Sequence, residues 1–298
     1  MKVMLTGASG FIGRRLIQRL VADGHTLHLL GRNRPAGLPP EAAFSEWDAN
    51  SGEIPEEAFR RLDAVIHLAG EPVGQRWNRE IKSRIRNSRV IGTHSLVQDL
   101  AKRSERPHTF ISASAIGFYG DRGSEVLDEQ SPPGVGFLSD VCGEWEREAR
   151  AAGSLGLRVV VLRIGIVLGK EGGALKQMLL PFRLGLGGPM ASGEQWMSWI
   201  HADDLVNAIV FSLANPQVFG PVNAVAPFPV QNVEFAKALG NALNRPAVLP
   251  TPVFALRLIL GEAADVVLAS QRVVPTMLQK SGFTWAHPEL REALASAV

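Results

Sequence analysis

An α/β fold built around a parallel β-sheet is predicted from three features of this sequence. Short β-rich runs alternate with stretches of helical periodicity from residue 2 to residue 164. A glycine-rich loop joins the first β-rich run to the first amphipathic stretch. Hydrophobic residues make up 46% of the 298 residues, which is enough for a large core. Strands that alternate with helices imply βαβ units, and hence a parallel sheet with helices on both faces.

The individual elements follow in chain order from the spacing of the apolar residues. The β-rich runs predict strands at residues 2–6, 26–30, 43–47, 64–68, 109–113 and 157–164. Helical spacing predicts helices at residues 11–22, 78–101 and 137–152, and another that begins near Asp203. The pattern of the last seventy residues or so predicts short helices separated by prolines.

A change of pattern after Gly169 predicts two domains. We expect residues 1–169 to form a nucleotide-binding α/β domain, with residues 200–215 packing back on it. Residues 170–199 and 216–298 are expected to form a smaller α/β domain that binds substrate. Four prolines between residues 215 and 229 argue against a central parallel strand in that stretch.

Charge and composition exclude several classes of protein. Lys and Arg number 31 against 29 Asp and Glu, and this balance argues against a nucleic-acid partner. The single cysteine, Cys142, cannot form an intramolecular disulfide and is typical of a reducing compartment. Each long apolar stretch is interrupted by charged residues, so we expect a cytoplasmic protein with no membrane partner. No spacing of His, Asp or Glu demands a metal, and His201 with the two aspartates after it most simply begins a helix.

The loop between the first strand and the first helix has the spacing of a dinucleotide-binding fingerprint. It reads Gly7-Ala8-Ser9-Gly10-Phe11-Ile12-Gly13. One glycine allows the tight turn, one allows the backbone to approach a pyrophosphate, and one allows close packing of the helix. The N–H groups at the helix N-terminus would bind the phosphates. We therefore predict a Rossmann, or doubly wound, domain with cofactor contacts at Gly7, Gly10, Phe11, Ile12 and Gly13.

The end of the second strand bears on the choice of cofactor. An NAD-binding domain usually has an acidic residue there, which binds the adenosine ribose. This chain instead has Arg32 and Arg34, with no carboxylate between Leu30 and Arg34. A guanidinium can bind a 2′-phosphate in a bidentate manner, so we predict NADP. Two solvated arginines in a turn would be the alternative.

Further motifs resemble those of the extended short-chain dehydrogenase/reductase superfamily. They are His67-Leu68-Ala69-Gly70, Ile111 to Asp121, Leu162 to Gly169 and Trp199 to Leu205. The C-terminal stretches Phe254-Ala255-Leu256-Arg257 and Gln271-Arg272-Val273-Val274-Pro275 resemble the extension of an atypical, epimerase-like subgroup, sometimes labelled cell-division-inhibitor homologues. The resemblance implies a Rossmann fold, NADP binding and a cleft between two domains for a small-molecule substrate that the sequence does not identify. It also implies cofactor contacts at Asp48, Leu68, Ala69, Gly70, Ser112 and Arg163.

The chain departs from the superfamily where the catalytic Tyr-x-x-x-Lys pair is expected. On the helix after the fifth strand, the tyrosine position falls on Leu138 and the lysine position on Cys142. The only tyrosine is Tyr119, in a turn before that helix, and no lysine occurs between Lys102 and Lys170. A positioned acid or base contributes roughly a hundred- to ten-thousandfold in rate. Either another residue carries the proton, or the protein binds NADP without the expected reaction.

Several residues are candidates for the remaining chemistry. Ser114 matches the superfamily's catalytic Ser/Thr and could orient a substrate oxygen; it could also cap the strand or contact only the cofactor. Tyr119 is the only phenol, although the matching turn is mainly structural in relatives, and Cys142 is more simply a buried apolar group. Candidate substrate contacts are Glu71, Trp77, Gln195, Ser198 and Trp199.

Two functions remain open from the sequence. We expect an NADP-dependent oxidoreductase or nucleotide-sugar-epimerase-like enzyme of the atypical short-chain type. The alternative is a non-catalytic NADP(H)-binding or sensing protein, which the missing Tyr/Lys pair favours. In relatives, the helices that correspond to residues 78–101 and 137–152 commonly form a dimer bundle, so a homodimer is a further expectation.

Overall fold

A computed structural model describes residues 1–35, 37–39, 42–48 and 52–298 of the chain. Its strands are, in chain order, β1 (Lys2–Thr6), β2 (Thr26–Gly31), β3 (Ala43–Glu46), β4 (Ala64–His67), β5 (Thr109–Ala115), β6 (Val126–Leu127), β7 (Arg158–Ile164), β8 (Ile166–Leu168), β9 (Trp196–Met197), β10 (Trp199–His201), β11 (Gly220–Ala224), β12 (Val230–Gln231) and β13 (Arg272–Val273). Its helices are α1 (Phe11–Ala22), α2 (Arg79–Ala101), α3 (Phe137–Arg150), α4 (Gly173–Arg183), α5 (Ala202–Ala214), α6 (Asn232–Ala242), α7 (Val253–Leu260), α8 (Ala264–Leu268), α9 (Thr276–Lys280) and α10 (Leu290–Ala297). Short 3₁₀ segments lie at Glu56–Ala58, Ile116–Tyr119, Ala151–Leu155 and Gly261–Ala263.

Within the described residues, seven parallel strands form the central sheet in the order β11-β7-β5-β4-β1-β2-β3. Alternate side chains of each strand point to opposite faces. On β1, Val3 and Leu5 pack with α1 and α5, whereas Met4 packs in the cluster that contains buried residues of α2 and α3. Helices thus cover both faces of a buried parallel sheet, as its near-continuous apolar strands require. The predicted α/β fold is confirmed.

The strand order reverses beside β1, and this reversal positions the loops of interest. The chain runs outward from β1 through β2 to β3, and then returns to place β4 on the other side of β1. The loops after β1 and β4 therefore emerge next to each other at the carboxyl edge of the sheet. Open α/β sheets bind their ligands at such a switch point.

The edge strand β11 corrects one part of the predicted domain division. Residues 216–298 were expected in the smaller domain, but Gly220–Ala224 pairs in parallel with β7 and extends the central sheet. Its Pro221 lies opposite Val161. Proline lacks a backbone N–H, and an edge strand tolerates that loss on its outer side. The prolines therefore excluded a central strand there but not an edge strand.

Some of the elements after β7 share a separate hydrophobic cluster. It contains buried residues of α4, α6 and α10, among them Leu175, Phe182, Phe235 and Leu294. Two small sheets, β9 with β12 and β8 with β10, adjoin these helices. None of the helices in the described ranges combines the length and the apolar composition needed to cross a membrane.

Candidate functional site

The loop after β1 has the close packing that its glycines predict. Gly7 adopts a positive φ of 73°, and a Cβ added there would lie 2.7 Å from the backbone carbonyl of Leu68. A Cβ added at Gly13 would lie 2.2 Å from the carbonyl oxygen of Gly7. Gly10 is the N-cap of α1, has no side-chain cap and is exposed. The loop therefore presents bare backbone and a helix N-terminus to the carboxyl edge of the sheet, as a pyrophosphate requires.

The neighbouring residues complete this edge. Ala69 donates its backbone N–H to Thr6 Oγ1 (3.2 Å), and this bond joins the loop after β4 to the end of β1. Leu68 and Ala69 are half-buried, whereas Gly70 is exposed. Phe11 lies against the segment after β8, where a Cβ added at Gly169 would be 2.4 Å from its ring. The Phe11 ring thus packs the first turn of α1 against the segment after β8. The adjacent Ile12 is half-buried against the main core.

The side chains after β2 leave a positively charged surface beside this loop. Arg32 and Arg34 are both exposed, and neither has an ion-pair or hydrogen-bond partner within the described ranges. Asp48 follows β3 and is half-buried, and its carbonyl oxygen accepts a hydrogen bond from the Gly52 N–H (2.8 Å). Free guanidinium groups at this position fit an adenosine 2′-phosphate, which a carboxylate would repel.

A buried network occupies the carboxyl ends of β5 and β7. Arg163 on β7 is 2% exposed and binds Glu146 on α3 through Nε–Oε1 and Nη2–Oε2 contacts of 2.9 Å each. Ser114 on β5 donates its hydroxyl to Glu146 Oε1 (2.9 Å), and Arg150 reaches Glu146 Oε2 (2.6 Å). Glu146 itself is 1% exposed. The carboxylate thus joins β5, β7 and α3.

Tyr119 belongs to the same network and is completely buried. Its hydroxyl accepts a hydrogen bond from Arg163 Nη1 (2.9 Å) and donates to Asn223 Oδ1 (2.7 Å). Burial raises the pKa of Tyr119 to about 12, and the Arg163 charge offsets only part of that effect. A phenol with this pKa and these partners holds its proton, which argues against Tyr119 as a proton carrier.

Several other predicted contacts are also buried. Arg163 was expected to bind the cofactor, but its N–H groups are used by Glu146 and Tyr119, and its guanidinium lies 3.6 Å from the Phe118 ring. Ser112 is fully buried and donates to the carbonyl of Ala113 (3.0 Å). In this structure the polar groups of both side chains bond to other residues of the protein.

The residues expected to contact substrate are divided in the same way. Trp77, Gln195, Ser198 and Trp199 are all buried, and each donates to a backbone carbonyl. Trp77 also packs edge-on against Phe137, and Ser198 Oγ further accepts the Val273 N–H. The Trp77 bond closes the loop after β4, whereas the bonds of Gln195, Ser198 and Trp199 lie within the C-terminal part of the chain. Glu71 is half-buried at the start of the loop after β4.

Arg89 is a residue of this edge that the sequence analysis did not single out. A Cβ added at Gly70 would lie 3.2 Å from its Cζ atom, so the guanidinium packs against the end of β4. On α2 it occupies the helical stripe of the buried residues Ile85 and Thr93, four positions before and after it. A cation on an otherwise buried stripe could have indicated a functional role for Arg89. The four other Lys and Arg residues of this helix obscured that signal.

Cys142 lies on α3 close to this edge. It is 3% exposed, and a Cβ added at Gly117 would lie 3.9 Å from its Sγ atom. Burial raises the pKa of the thiol to about 11, Glu146 adds to the increase, and the Arg89 charge opposes it. The burial agrees with its interpretation as a small apolar group.

One group of potential metal ligands occurs within the described ranges, at His201, Asp203 and His287. Its surroundings oppose a cation. Asp203 forms an ion pair with Arg15 (2.5 Å), and the Asp203 backbone N–H donates to His201 Nδ1 (3.2 Å) at the N-terminus of α5. A helix N-terminus carries partial positive charge.

Comparisons with known proteins agree with this architecture. The NAD dependent epimerase/dehydratase family matches residues 3–225, and a domain of unknown function (DUF1731) matches residues 251–297. The chain is 44% identical to the chloroplastic epimerase family protein SDR39U1 homolog of Arabidopsis thaliana, over 99% of this chain and 86% of that protein. It is 40% identical to the epimerase family protein Mb2239 of Mycobacterium bovis, over 99% and 97% of the two chains.

A solved structure extends the comparison to three dimensions. Human epimerase family protein SDR39U1 (isoform 2), crystallised with NADPH, superposes with a TM-score of 0.90 at 35% identity, over 100% of this chain and 99% of that one. The match includes the central sheet and the C-terminal elements. The chain therefore belongs to the NAD-dependent epimerase/dehydratase family and carries the C-terminal domain of its SDR39U1-like members.

Proposed function

We propose that this protein binds NADP(H) and acts as an oxidoreductase or epimerase of the atypical short-chain type on a small molecule. The observation that carries the proposal is the glycine loop at the switch point beside the unpaired Arg32 and Arg34. Bare backbone suits a pyrophosphate, and the two guanidinium groups suit a 2′-phosphate. The human relative crystallised with NADPH supports the same cofactor.

Different residues at this edge would bind the cofactor and the substrate. Gly7, Gly10 and Gly13 would let the pyrophosphate approach the N-terminus of α1, and Arg32 would bind the 2′-phosphate. Bound NADP(H) would supply hydride chemistry at C4 of its nicotinamide. Ser114 remains the candidate for orienting a substrate oxygen, although its hydroxyl must leave Glu146 to donate a hydrogen bond to substrate.

The superfamily's Tyr-x-x-x-Lys pair has no equivalent on α3, which contains neither residue type. Tyr119 cannot readily replace it because the phenol is buried and fully hydrogen-bonded. This observation favours the second candidate function, a non-catalytic NADP(H)-binding or sensing protein. We retain the enzyme as the first proposal because a purely binding protein has no need of the additional C-terminal elements with their separate core.

Hydride transfer from labelled cofactor tests the proposal directly. Purified protein would be incubated with a small-metabolite extract and NADPH that carries deuterium at C4, in separate pro-R and pro-S preparations. We expect protein-dependent deuterium in one metabolite from one of the two preparations. The Gly10→Ala variant, in which a methyl group occupies the approach of the phosphates, serves as the control. Protein that binds NADPH but labels no metabolite in extracts of several compositions would favour the sensing function instead.

We further propose a cytoplasmic homodimer with no nucleic-acid partner. The outer faces of α2 and α3 adjoin each other, and the Arg86–Glu144 ion pair (2.5 Å) joins them within one chain. Light scattering on the purified protein would give twice the 32.2 kDa chain mass if the dimer forms. Charge reversal at Arg86 should leave a monomer if this face is the interface.

A further inference from the structure

The guanidinium of Arg89 lies at the switch point. It packs against Gly70 at the carboxyl end of β4, and its Nη1 atom donates to the backbone carbonyls of Glu71 (3.0 Å) and Ile85 (3.1 Å). These bonds hold the side chain across the gap between α2 and the end of the sheet. Arg89 is therefore fixed beside the loops after β1 and β4, where the cofactor is proposed to bind.

The same guanidinium also faces α3. It lies 5.2 Å from the centre of the Trp145 ring, and its charge acts on the Cys142 thiol. Position 142 is where the sequence comparison places the lysine of the superfamily's catalytic pair. A cation is thus present at this place, but it comes from α2 instead of α3.

Arg89 keeps donors free for a ligand. Of its nitrogen atoms, Nη1 serves the two backbone carbonyls, whereas Nε and Nη2 have no hydrogen-bond partner in the part of the chain that the structure describes. The Arg89 side chain is half-buried, and neither nitrogen is completely shielded from solvent. Burial lowers the pKa of Arg89, with Cys142 and Glu71 opposing that effect, but a guanidinium stays charged at neutral pH.

We propose that Arg89 takes the place of the missing lysine and binds the ribose hydroxyls of the nicotinamide half of NADP(H) through its free N–H groups. In the superfamily that the sequence resembles, the lysine of the catalytic pair holds this ribose from the helix equivalent to α3. Here that position is the short Cys142, and the Arg89 guanidinium lies close to it. The inference rests on the proposed NADP(H) binding but not on turnover.

Calorimetric binding of two ligands tests the assignment. NADPH contains the nicotinamide ribose, whereas adenosine 2′,5′-bisphosphate carries only the adenosine half. Arg89→Ala should weaken NADPH binding roughly ten- to a hundredfold, because it removes hydrogen bonds from a charged donor. Binding of the bisphosphate should stay within about twofold of wild type. Arg89→Lys should recover part of the NADPH affinity, since it restores the charge without the planar fork.

The controls separate contact from packing. Arg79→Ala removes an exposed arginine from the same helix and should change neither affinity. Moving the cation, in the double variant Arg89→Ala with Cys142→Lys, should restore NADPH affinity without affecting the bisphosphate. The proposal is wrong if Arg89→Ala weakens the binding of both ligands equally, or if it lowers Tm without weakening the binding of either. Arg89 would then serve only in packing. Wild-type protein that binds neither ligand would overturn the proposed function and this inference together.

Discussion

Glu146 on α3 accepts hydrogen bonds from Nε and Nη2 of Arg163, each 2.9 Å long. Both side chains are almost inaccessible to solvent. Removing one partner of a buried ion pair strands the charge of the other, which costs about 3–5 kcal/mol. We therefore expect Glu146→Gln to lower the free energy of unfolding by about that amount. Urea unfolding followed by circular dichroism measures it.

Glu148→Gln is the matched control for this prediction, since Glu148 lies on the same helix and pairs with the exposed His94. That substitution should cost less than about 1 kcal/mol. Equal losses in the two variants would show that the Glu146–Arg163 pair has no special weight in stability.

This network also marks the limit of what the sequence could predict. Apolar periodicity located β5 and β7 because both strands are buried, and the glycine spacing located the phosphate loop because backbone geometry demands it. Ser114 and Arg163 were assigned to ligands from the resemblance to the short-chain dehydrogenase/reductase superfamily. Their actual partner, Glu146, lies 32 residues from Ser114 on another element, and no local pattern reveals such a pairing. Arg89 was missed for a different reason: its place on the buried stripe of α2 was a signal, but the other basic residues of the helix obscured it.

Cys142 should be unreactive in the folded protein. Burial raises its pKa to about 11, so only roughly one thiol in a thousand is ionised at pH 8, and the side chain is 3% exposed. We expect no labelling by Ellman's reagent in native buffer over an hour or so, and one thiol per chain in guanidinium chloride. Rapid labelling of native protein, with circular dichroism unchanged, would mean that α3 opens readily.

Alanine substitutions at Gly10 and Gly13, at the start of α1, should affect cofactor binding and stability separately. A Cβ at Gly13 would meet the Gly7 carbonyl oxygen at 2.2 Å, so Gly13→Ala should destabilise the fold by about 1–3 kcal/mol or more. A Cβ at Gly10 approaches only that oxygen, at 3.2 Å, and φ there is −71°. Gly10→Ala should therefore keep its Tm but lose NADPH affinity, because the methyl group occupies the approach of the phosphates. If Gly10→Ala binds NADPH as wild type does, the phosphates lie elsewhere.

Arg32→Glu tests the choice of cofactor. The substitution replaces a free guanidinium with a carboxylate that repels a 2′-phosphate, so NADPH affinity should fall roughly tenfold to a hundredfold. NADH affinity should change little. Arg60→Glu is the control. Arg60 is exposed, and its carbonyl oxygen accepts a hydrogen bond from Lys2 Nζ at the opposite edge of the sheet. Equal losses for NADPH and NADH would contradict the assignment of Arg32 to the 2′-phosphate.

His67 should make the protein less stable in mild acid. It is fully buried between Thr6 Oγ1 (2.7 Å) and Thr93 Oγ1 (3.0 Å), and burial lowers its pKa from 6.5 to about 4, with Arg89 adding to the effect. Between these values the unfolded chain binds a proton that the folded protein does not, so stability falls as the pH drops from 6.5 towards 4. The loss attributable to His67 is about 3 kcal/mol at pH 4. Burial also lowers the pKa of His28 and His201, so the slope must be compared with that of His67→Gln in urea unfolding across this range. Parallel slopes for the two proteins would mean that His67 takes up its proton without unfolding.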